Sequence, residues 1–407
     1  MIEDDRANLA PGQTLPATIG PVAPFLFAAY LVAKPFYFFP SGGPQIADAI
    51  AGLLFLIIFL GRQSISRGTA PVMWACVLFS TYTLIVNAVW TLLMMDINML
   101  VTPAFYFFNT IVVYAILSLH GRIGDRLLKV TLVACVVSVA VQVVLSVWAI
   151  HAGAERQALF FNNENQLGYW SLLSATIFCI VARQTNMRFL YQAPFLALAF
   201  YLVALSLSKG ALVAVFLLLA IHFSRNFGQF VLVSIVGIVA VFLASDLSLL
   251  EHVGDRLLNI GGESDDSLHG RGYDRIWLHP QYLLFGAGEF GLSRFPETTI
   301  ELHSTLGTVV FSYGAIGVFL FGLVLWRLFK LAGWREMLYL VPAFAHGLAH
   351  QGLRFTLLWV LFAVIAIVGA SASARRARQG IAAIPEGPNQ AASIARFTSS
   401  SVFRAGS

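Results

Sequence analysis

The chain has 407 residues, of which 58% are apolar and only 11% are charged, and its formal net charge is +5. A soluble domain carries about 25% charged residues, so this composition excludes an ordinary soluble fold. The apolar residues come in runs close to the ~20 residues that a helix needs to cross a bilayer. The sequence therefore predicts an all-α integral membrane protein with many spanning helices.

The two ends of the chain differ from its apolar middle. Residues 1–20 are acidic and lack the basic start and small-residue cleavage site of a signal peptide. Residues 373–407 are polar and rich in Ser and Ala, which is typical of a disordered tail. The sequence predicts a membrane domain over residues 21–372, between a cytoplasmic N-terminal segment and a disordered cytoplasmic tail.

The apolar runs predict about twelve transmembrane helices. They cover residues 21–40, 45–61, 70–93, 101–119, 127–150, 165–182, 189–207, 210–223, 230–247, 303–326, 336–350 and 355–372. Alternate connections hold the short basic runs, namely Arg62 and Arg67, Arg122 and Arg126, Arg183 and Arg188, Arg225, Arg327 with Lys330 and Arg335, and Arg375 with Arg376 and Arg378. Because Lys and Arg are retained on the cytoplasmic side during insertion, these connections are predicted to be cytoplasmic.

The connections on the opposite face hold few cations, so each of these cations is informative. They are Arg156, Lys209, Arg354 and, within one long extracytoplasmic loop over residues 248–302, Arg256, Arg271, Arg275 and Arg294. The insertion bias disfavours cations on this face, which indicates a role in binding for some of them. For Arg256 and Arg294 we prefer the alternative, a solvated loop charge balanced by acidic residues.

The stretch RGYDRIWLHPQYLLFGAG, residues 271–288, is a polar segment in an apolar chain. Arg271 and Arg275 are four residues apart, so a helical turn would place both on one face. Pro280 would end that helix, and the glycines of FGAG would allow a tight turn with positive φ. Guanidinium groups bind phosphate with two parallel hydrogen bonds, so the loop is predicted to hold a diphosphate.

Four stretches together resemble the O-antigen ligase and polymerase superfamily of bacterial inner membranes, which handles glycans linked to undecaprenyl diphosphate. They are RQALFFNNENQLGYW at 156–170, SLSKGA at 206–211, RGYDRIWLHPQYLLFGAG at 271–288 and ELHSTLGTVVFSYGAIG at 301–317. The resemblance implies a GT-C-like membrane glycosyltransferase whose active site faces the periplasm.

The resemblance also implies roles for individual residues. Arg271 falls on the family's essential loop arginine, and His303 falls on its essential histidine. Arg156 and Lys209 fall on basic positions that hold the diphosphate in the family. Beside the resemblance, Arg275, Asn165 and Arg354 are predicted as further substrate contacts. The sequence departs from the family pattern at three positions, since Glu164 replaces a proline, Lys209 an arginine and Ser304 an asparagine. Lysine keeps the positive charge but loses the planar fork of arginine.

The predicted reaction needs two kinds of group. A sugar that leaves a diphosphate needs its developing negative charge stabilised, which guanidinium groups can do without a metal or other cofactor. The attacking hydroxyl needs a base that titrates near neutral pH, and histidine is the natural choice. His303 is therefore predicted to accept the acceptor's proton, or else to hydrogen-bond the diphosphate while neutral. A one-step displacement would invert the anomeric centre.

Three alternatives stay open at this stage. A flippase or other transporter of lipid-linked glycans would suit twelve spans, although no internal repeat is apparent. A membrane sensor or scaffold would leave the arginine set without a role. Within the enzyme class, a polymerase joins lipid-linked repeat units, whereas a ligase transfers the glycan to a lipid A core or a protein. We prefer the polymerase, since nothing suggests a dedicated lipid A or protein acceptor surface.

The expected partners are a lipid-linked oligosaccharide, a glycan or lipid A-core acceptor, and membrane lipid, with no signature of nucleic-acid binding. Two further sets of residues are not given a role in function. His346 and His350 are four residues apart and could share a metal, but no third ligand is apparent, so no metal site is predicted. Lys34 lies in the first apolar run and is predicted to extend towards lipid headgroups.

Overall fold

The computed structural model describes residues 21–39, 43–61, 65–149, 157–224, 226–244, 267–295 and 301–382. Throughout this part of the chain the secondary structure is helical, with no strand. The predicted all-α class is therefore confirmed. The N-terminal segment 1–20, residues 383–407 of the predicted tail, and residues 245–266 and 296–300 of the long connection lie outside the described residues.

Twelve helices of ten or more residues lie in the described ranges, one in each predicted apolar run. They are α1 (Val22–Ala33), α2 (Ile46–Leu60), α3 (Ala70–Met94), α4 (Val101–Ile123), α5 (Arg126–Ala149), α6 (Glu164–Gln184), α7 (Phe189–Leu205), α8 (Lys209–His222), α9 (Phe227–Ala244), α10 (Thr305–Ala332), α11 (Leu340–Ala349) and α12 (Thr356–Ala382). Single helical turns lie between them at Ile97–Leu100, Arg275–Leu278, Pro280–Tyr282, Leu292–Arg294 and Trp334–Met337.

Six segments in the described ranges are long and apolar enough to cross a membrane. They are Ala70–Met94, Ile97–Ile123, Arg126–Trp148, Glu164–Gln184, Thr305–Ala332 and Thr356–Arg376. Helices α1, α2, α7, α8 and α9 contribute shorter apolar segments. By length and composition, the chain is a multi-pass α-helical membrane protein.

The last helix extends further than the apolar run that predicts it. Helix α12 continues to Ala382, ten residues beyond the predicted end of the last span. The added stretch is rich in Ala and Arg, which have high intrinsic helix propensity and can prolong a helix beyond the apolar part. The first residues of the predicted tail are therefore helical.

Helices α6 and α12 form the centre of the bundle. In their apolar stretches, 89% of the α6 residues and 72% of the α12 residues are buried. Helix α6 packs against α5, α7, α8, α11 and α12, and α12 packs also against α4 and α10. Helix α6 carries small polar residues such as Ser171, whose hydroxyl donates to the Ala199 carbonyl at 2.9 Å. Small residues let membrane helices approach closely, which suits α6 to this central position.

The long connection inserts part of its backbone into the bundle. Helix α10 is broken at Gly314, whose φ of 62° and ψ of −166° are not helical. The carbonyls of Phe311 and Ser312 accept hydrogen bonds from the FGAG turn at 3.0 and 2.8 Å. In return, the Ala315 amide donates to the Leu283 carbonyl at 2.7 Å. The turn thus replaces the hydrogen bonds that the break removes, because buried backbone groups in a membrane protein must be paired.

Two glycines allow this close approach. A Cβ atom at Gly286 would lie 2.4 Å from the Ser312 carbonyl oxygen, and one at Gly314 would lie 2.6 Å from the Leu284 carbonyl oxygen. Both residues have positive φ, as has Gly288. The predicted tight turn is confirmed, but it packs between α3 and α10 instead of lying on the surface: the Trp90 indole donates to the Gly286 carbonyl at 3.1 Å.

Candidate functional site

An open cavity of about 510 Å³ lies at one end of the bundle. Three of the predicted site residues line it, namely Asn165, His303 and Arg354. They lie next to helix ends, since Asn165 is in the first turn of α6, His303 precedes α10 and Arg354 precedes α12. Residues that are distant in sequence are therefore brought to one polar pocket.

His303 is held in place by the start of α10. The Ser304 hydroxyl caps this helix by accepting a hydrogen bond from the Gly307 amide at 3.0 Å. Serine is a favoured N-cap residue, so Ser304 has a structural use at this position. The Tyr273 hydroxyl lies 2.6 Å from the Ser304 hydroxyl, which ties the long connection to the cap. The His303 side chain itself is exposed and faces the cavity.

Arg271 lies beside His303 in the backbone, but it is not among the described residues that line the cavity. The His303 amide donates to the Arg271 carbonyl at 3.1 Å. The half-buried guanidinium of Arg271 donates to the Ala349 carbonyl at the last residue of α11. A cation is favourable at this position because the C-terminal end of a helix carries partial negative charge. The loop arginine and the histidine are thus fixed to the same corner of the bundle.

Arg275 departs from the predicted arrangement. The helix of this segment begins only at Arg275, because Gly272 adopts a φ of 72° just before it. Arg271 and Arg275 therefore do not share a helical face. Arg275 is only 3% exposed, and its guanidinium lies 5.1 Å from the centre of the Phe295 ring. The structure does not bring it to the cavity wall.

The remaining predicted cations lie at different distances from the cavity. Lys209 is the first residue of α8 and is half-buried. The next residue, Gly210, lies against two rings of the cavity wall, since its Cβ would meet the His350 ring at 3.4 Å and the His346 ring at 3.5 Å. Lys209 is therefore adjacent to the cavity. Arg156 lies outside the described residues.

Arg354 is held by two carboxylates at the floor of the cavity. Its Nε donates to Glu289 Oε2 at 2.6 Å, and its Nη1 donates to Glu301 Oε2 at 3.3 Å. Burial alone would lower the pKa of Arg354, but attraction to the two carboxylates outweighs it and raises the pKa above its ordinary value. The guanidinium predicted to contact a diphosphate is thus already engaged with anions of the protein.

Glu289 is the residue that sequence reasoning missed. It is 4% exposed, and its carboxylate also accepts hydrogen bonds from the hydroxyls of Tyr106 at 2.5 Å and Tyr313 at 2.6 Å. A buried carboxylate needs several such donors to offset the loss of water. Its position directly after the Gly288 turn was the available signal, because an acidic residue among apolar ones requires a partner.

Two further residues line the cavity wall, and one of them, Lys34, departs from its prediction. Lys34 is buried and forms an ion pair with Asp48 at 3.0 Å, so it faces the cavity instead of extending to lipid headgroups. His346 stacks on Tyr169 with 4.3 Å between ring centres, and its ring lies 4.7 Å from that of His350. In the described residues, no group of three or more potential ligands could hold a metal ion.

Comparison with known proteins supplies no function by similarity. No family model matches the chain, and no curated protein matches it. A functional conclusion therefore rests on the residues and on the geometry of the cavity.

Proposed function

We propose that this protein is a membrane glycosyltransferase that transfers glycan from an undecaprenyl-diphosphate-linked donor at the outer face of a bacterial inner membrane. The observation that carries the proposal is the position of His303, exposed at a polar cavity and joined through its backbone to Arg271. Such a site offers a proton acceptor at the cavity and a guanidinium held nearby on the Ala349 carbonyl, as transfer from a diphosphate requires.

The proposed topology has twelve spans in a GT-C-like arrangement, with both termini in the cytoplasm. Lys34 follows α1, whereas Asn165, His303 and Arg354 lie at the starts of α6, α10 and α12. In an alternating topology, the ends of odd-numbered helices and the starts of even-numbered helices lie on the same side. This supports an extracytoplasmic cavity, opposite the basic connections. A reporter fused at Ser264 should score as periplasmic, and a cytoplasmic score would overturn the topology.

In the proposed reaction, the acceptor hydroxyl attacks the anomeric carbon of the donor sugar. Its proton passes to His303 as the new glycosidic bond forms, and the bond between the sugar and the diphosphate breaks. The electron pair of that bond stays on the diphosphate, where Arg271 and Lys209 stabilise the negative charge. A single displacement inverts the anomeric centre and needs no metal.

Arg354 and Glu289 take a positioning role in this proposal. Their ion pair joins the inserted turn of the long connection to the start of α12, close to His303. Glu301 completes the pairing of the guanidinium from the segment just before His303. The pair therefore fixes the loop that carries Arg271 relative to the histidine, without contacting the diphosphate.

A transporter of the same lipid-linked glycans is the second candidate, favoured by the ion pair inside the bundle, because buried ionisable groups often mark transport paths. Beneath that pair, however, the rings of Phe79, Tyr106 and Tyr313 pack edge to face with centres 5.8–5.9 Å apart. Trp359 packs against the same cluster at 6.3 Å. A packed aromatic cluster at this position suits an enzyme that works from one side.

The test is glycan transfer by the purified protein in liposomes, with an undecaprenyl-diphosphate-linked repeat unit as donor. Release of free undecaprenyl diphosphate together with longer lipid-linked chains is expected of a polymerase, which we favour. Transfer to an added lipid A core would identify a ligase. Movement of the donor across the bilayer without any transfer product would overturn the enzyme in favour of the transporter.

A further inference from the structure

The wall of the cavity contains buried polar atoms that lack hydrogen-bond partners. The His346 side chain is 1% exposed, and neither of its ring nitrogens has a partner among the described residues. The hydroxyl of Tyr169, on which this ring stacks, has no partner there either. Both residues line the cavity. Buried polar groups in folded proteins are almost always paired, so three such atoms at one wall need an explanation.

We propose that the Tyr169–His346 wall binds a neutral sugar residue of the glycan through its hydroxyl groups. The inference rests on the proposed function and names where a sugar of the transferred glycan lies. A ligand that enters the cavity would supply the partners that the protein does not. Sites for small ligands commonly combine apolar walls with a few polar groups that fix the ligand's orientation.

The hydrogen-bonding chemistry of the wall favours hydroxyls over phosphate. An uncharged imidazole offers one donor and one acceptor, and a tyrosine hydroxyl can act as either. A sugar hydroxyl is also both donor and acceptor, so neighbouring hydroxyls can satisfy both nitrogens of His346. Phosphate oxygens at neutral pH mostly accept, and they would leave the acceptor nitrogen of the ring unpaired.

The cations that line the cavity are paired within the protein, whereas Arg271, whose charge also acts on His346, is not among the described lining residues. Among the described lining residues, the cations other than histidine are Lys34 and Arg354. Lys34 is paired with Asp48, and Arg354 is paired with Glu289 and Glu301. Their positive charges are therefore compensated within the protein. An anionic ligand at this wall would have to compete with these carboxylates.

The wall is held rigidly before any ligand binds. The His346 ring lies between Tyr169, at 4.3 Å with 10° between the ring planes, and His350, at 4.7 Å. Tyr169 is fixed in turn by Phe355, whose ring centre is 5.4 Å away, and by Gly352, where a Cβ would lie 2.7 Å from the hydroxyl. These contacts fix the ring planes, but the polar atoms themselves are covered, so a sugar hydroxyl reaches them only when a neighbouring side chain of the cavity moves.

The test replaces His346 with phenylalanine, which keeps a stacking ring and removes both nitrogens. Binding is measured on the purified protein in nanodiscs by saturation-transfer NMR with neutral methyl glycosides of glucose, galactose, mannose and N-acetylglucosamine. The wild type should bind at least one of them, and His346→Phe should weaken that binding about tenfold or more. Thermal unfolding of His346→Phe should occur at the same or a higher temperature, since the variant buries no unpaired nitrogen.

Three comparisons make the result specific. Tyr169→Phe should weaken binding less, because it removes one polar atom and keeps the ring. His120→Phe, the same change near the opposite end of the bundle, should bind as the wild type does. Methyl phosphate should not compete with the glycoside. In the transfer reaction, His346→Phe should raise the KM for the lipid-linked donor and leave kcat largely unchanged.

The proposal is overturned if the wild type binds none of the glycosides, if His346→Phe binds them equally well, or if methyl phosphate displaces them. The binding measurement uses no lipid-linked donor and no catalysis. A protein that binds the glycoside through His346 but shows no transfer would therefore refute the proposed function and leave the sugar site intact.

Discussion

A histidine lines the cavity at each end of the bundle, and the two histidines differ in their hydrogen bonds. His222, the last residue of α8, lines a second cavity of about 450 Å³ at the end opposite His346. Its Nδ1 lies 2.8 Å from the Tyr339 hydroxyl and its Nε2 lies 2.7 Å from Gln192 Oε1. Both nitrogens of His222 are thus used by the protein, whereas those of His346 are left for a ligand.

The ion pairs at the two ends of the bundle differ in how far solvent reaches them. At the end with His222, Arg183 and Glu336 lie 3.9 Å apart and are 41% and 21% exposed, so solvent screens their attraction. At the end with His346, the side chains of Arg354 and Glu289 are 21% and 3% exposed, and two tyrosine hydroxyls donate to the buried Glu289 carboxylate. The difference between the two ends is that the exposed pair is screened by solvent, whereas the pair of Arg354 and Glu289 shapes the candidate site.

The largest expected effect comes from removing the proposed base. His303→Ala should lower the transfer rate by about 10²- to 10⁴-fold, the usual contribution of general base catalysis. His303→Gln should be nearly as slow, because glutamine can hydrogen-bond but cannot take the proton. The measurement is the release of undecaprenyl diphosphate in liposomes. His269→Ala is the control and should act normally; an active alanine variant at His303 would exclude it from the mechanism.

The second prediction concerns the buried ion pair. Glu289→Gln keeps the shape and the oxygen that accepts from the tyrosines, but it leaves Arg354 with only Glu301 as its anion. Loss of one partner from a buried pair costs about 3–5 kcal/mol, so thermal unfolding of the helices by circular dichroism should move to a clearly lower temperature. The matched change Glu336→Gln should cost about 0–1 kcal/mol. Equal shifts in the two variants would erase the difference between the two ends.

A third variant tests the geometry of the loop arginine. Arg271→Lys keeps the charge but loses the planar fork, so transfer should fall by about 10- to 100-fold, the value of one or two charge-assisted hydrogen bonds. The amount of protein in the membrane should not change. Arg183→Lys at the opposite end should leave transfer unaffected. Normal transfer by Arg271→Lys would mean that only its charge matters.

The smallest effect separates the two histidines by stability alone. His222→Phe leaves the Tyr339 hydroxyl and the Gln192 amide oxygen without their partner, and this should cost about 1–3 kcal/mol. His346→Phe removes no such pairing and should cost nothing. Unfolding of both variants in the same detergent gives the comparison. A destabilised His346→Phe would show that the ring nitrogens are used within the protein.

Much of the fold could be predicted because it depends on near neighbours in the chain. The apolar runs predict the positions of the helices, since a helix in a bilayer must satisfy its own backbone. The FGAG turn with positive φ at Gly286 and Gly288 was predictable from local chemistry. Each of these features depends on a short stretch of sequence.

Only the tertiary structure decided which polar groups are paired. Arg354 donates a hydrogen bond to Glu289, 65 positions earlier in the chain. Glu289 accepts one from Tyr106, a further 183 positions earlier. Local spacing cannot reveal such partners, because they depend on how distant helices meet. The sequence by itself determined a helical membrane protein with a cationic loop, because these features depend on local composition. The packing of distant helices decided that Arg275 is buried away from the cavity and that the charge of Arg354 is paired with Glu289. It also decided that the nitrogens of His346 have no partner in the described part of the chain.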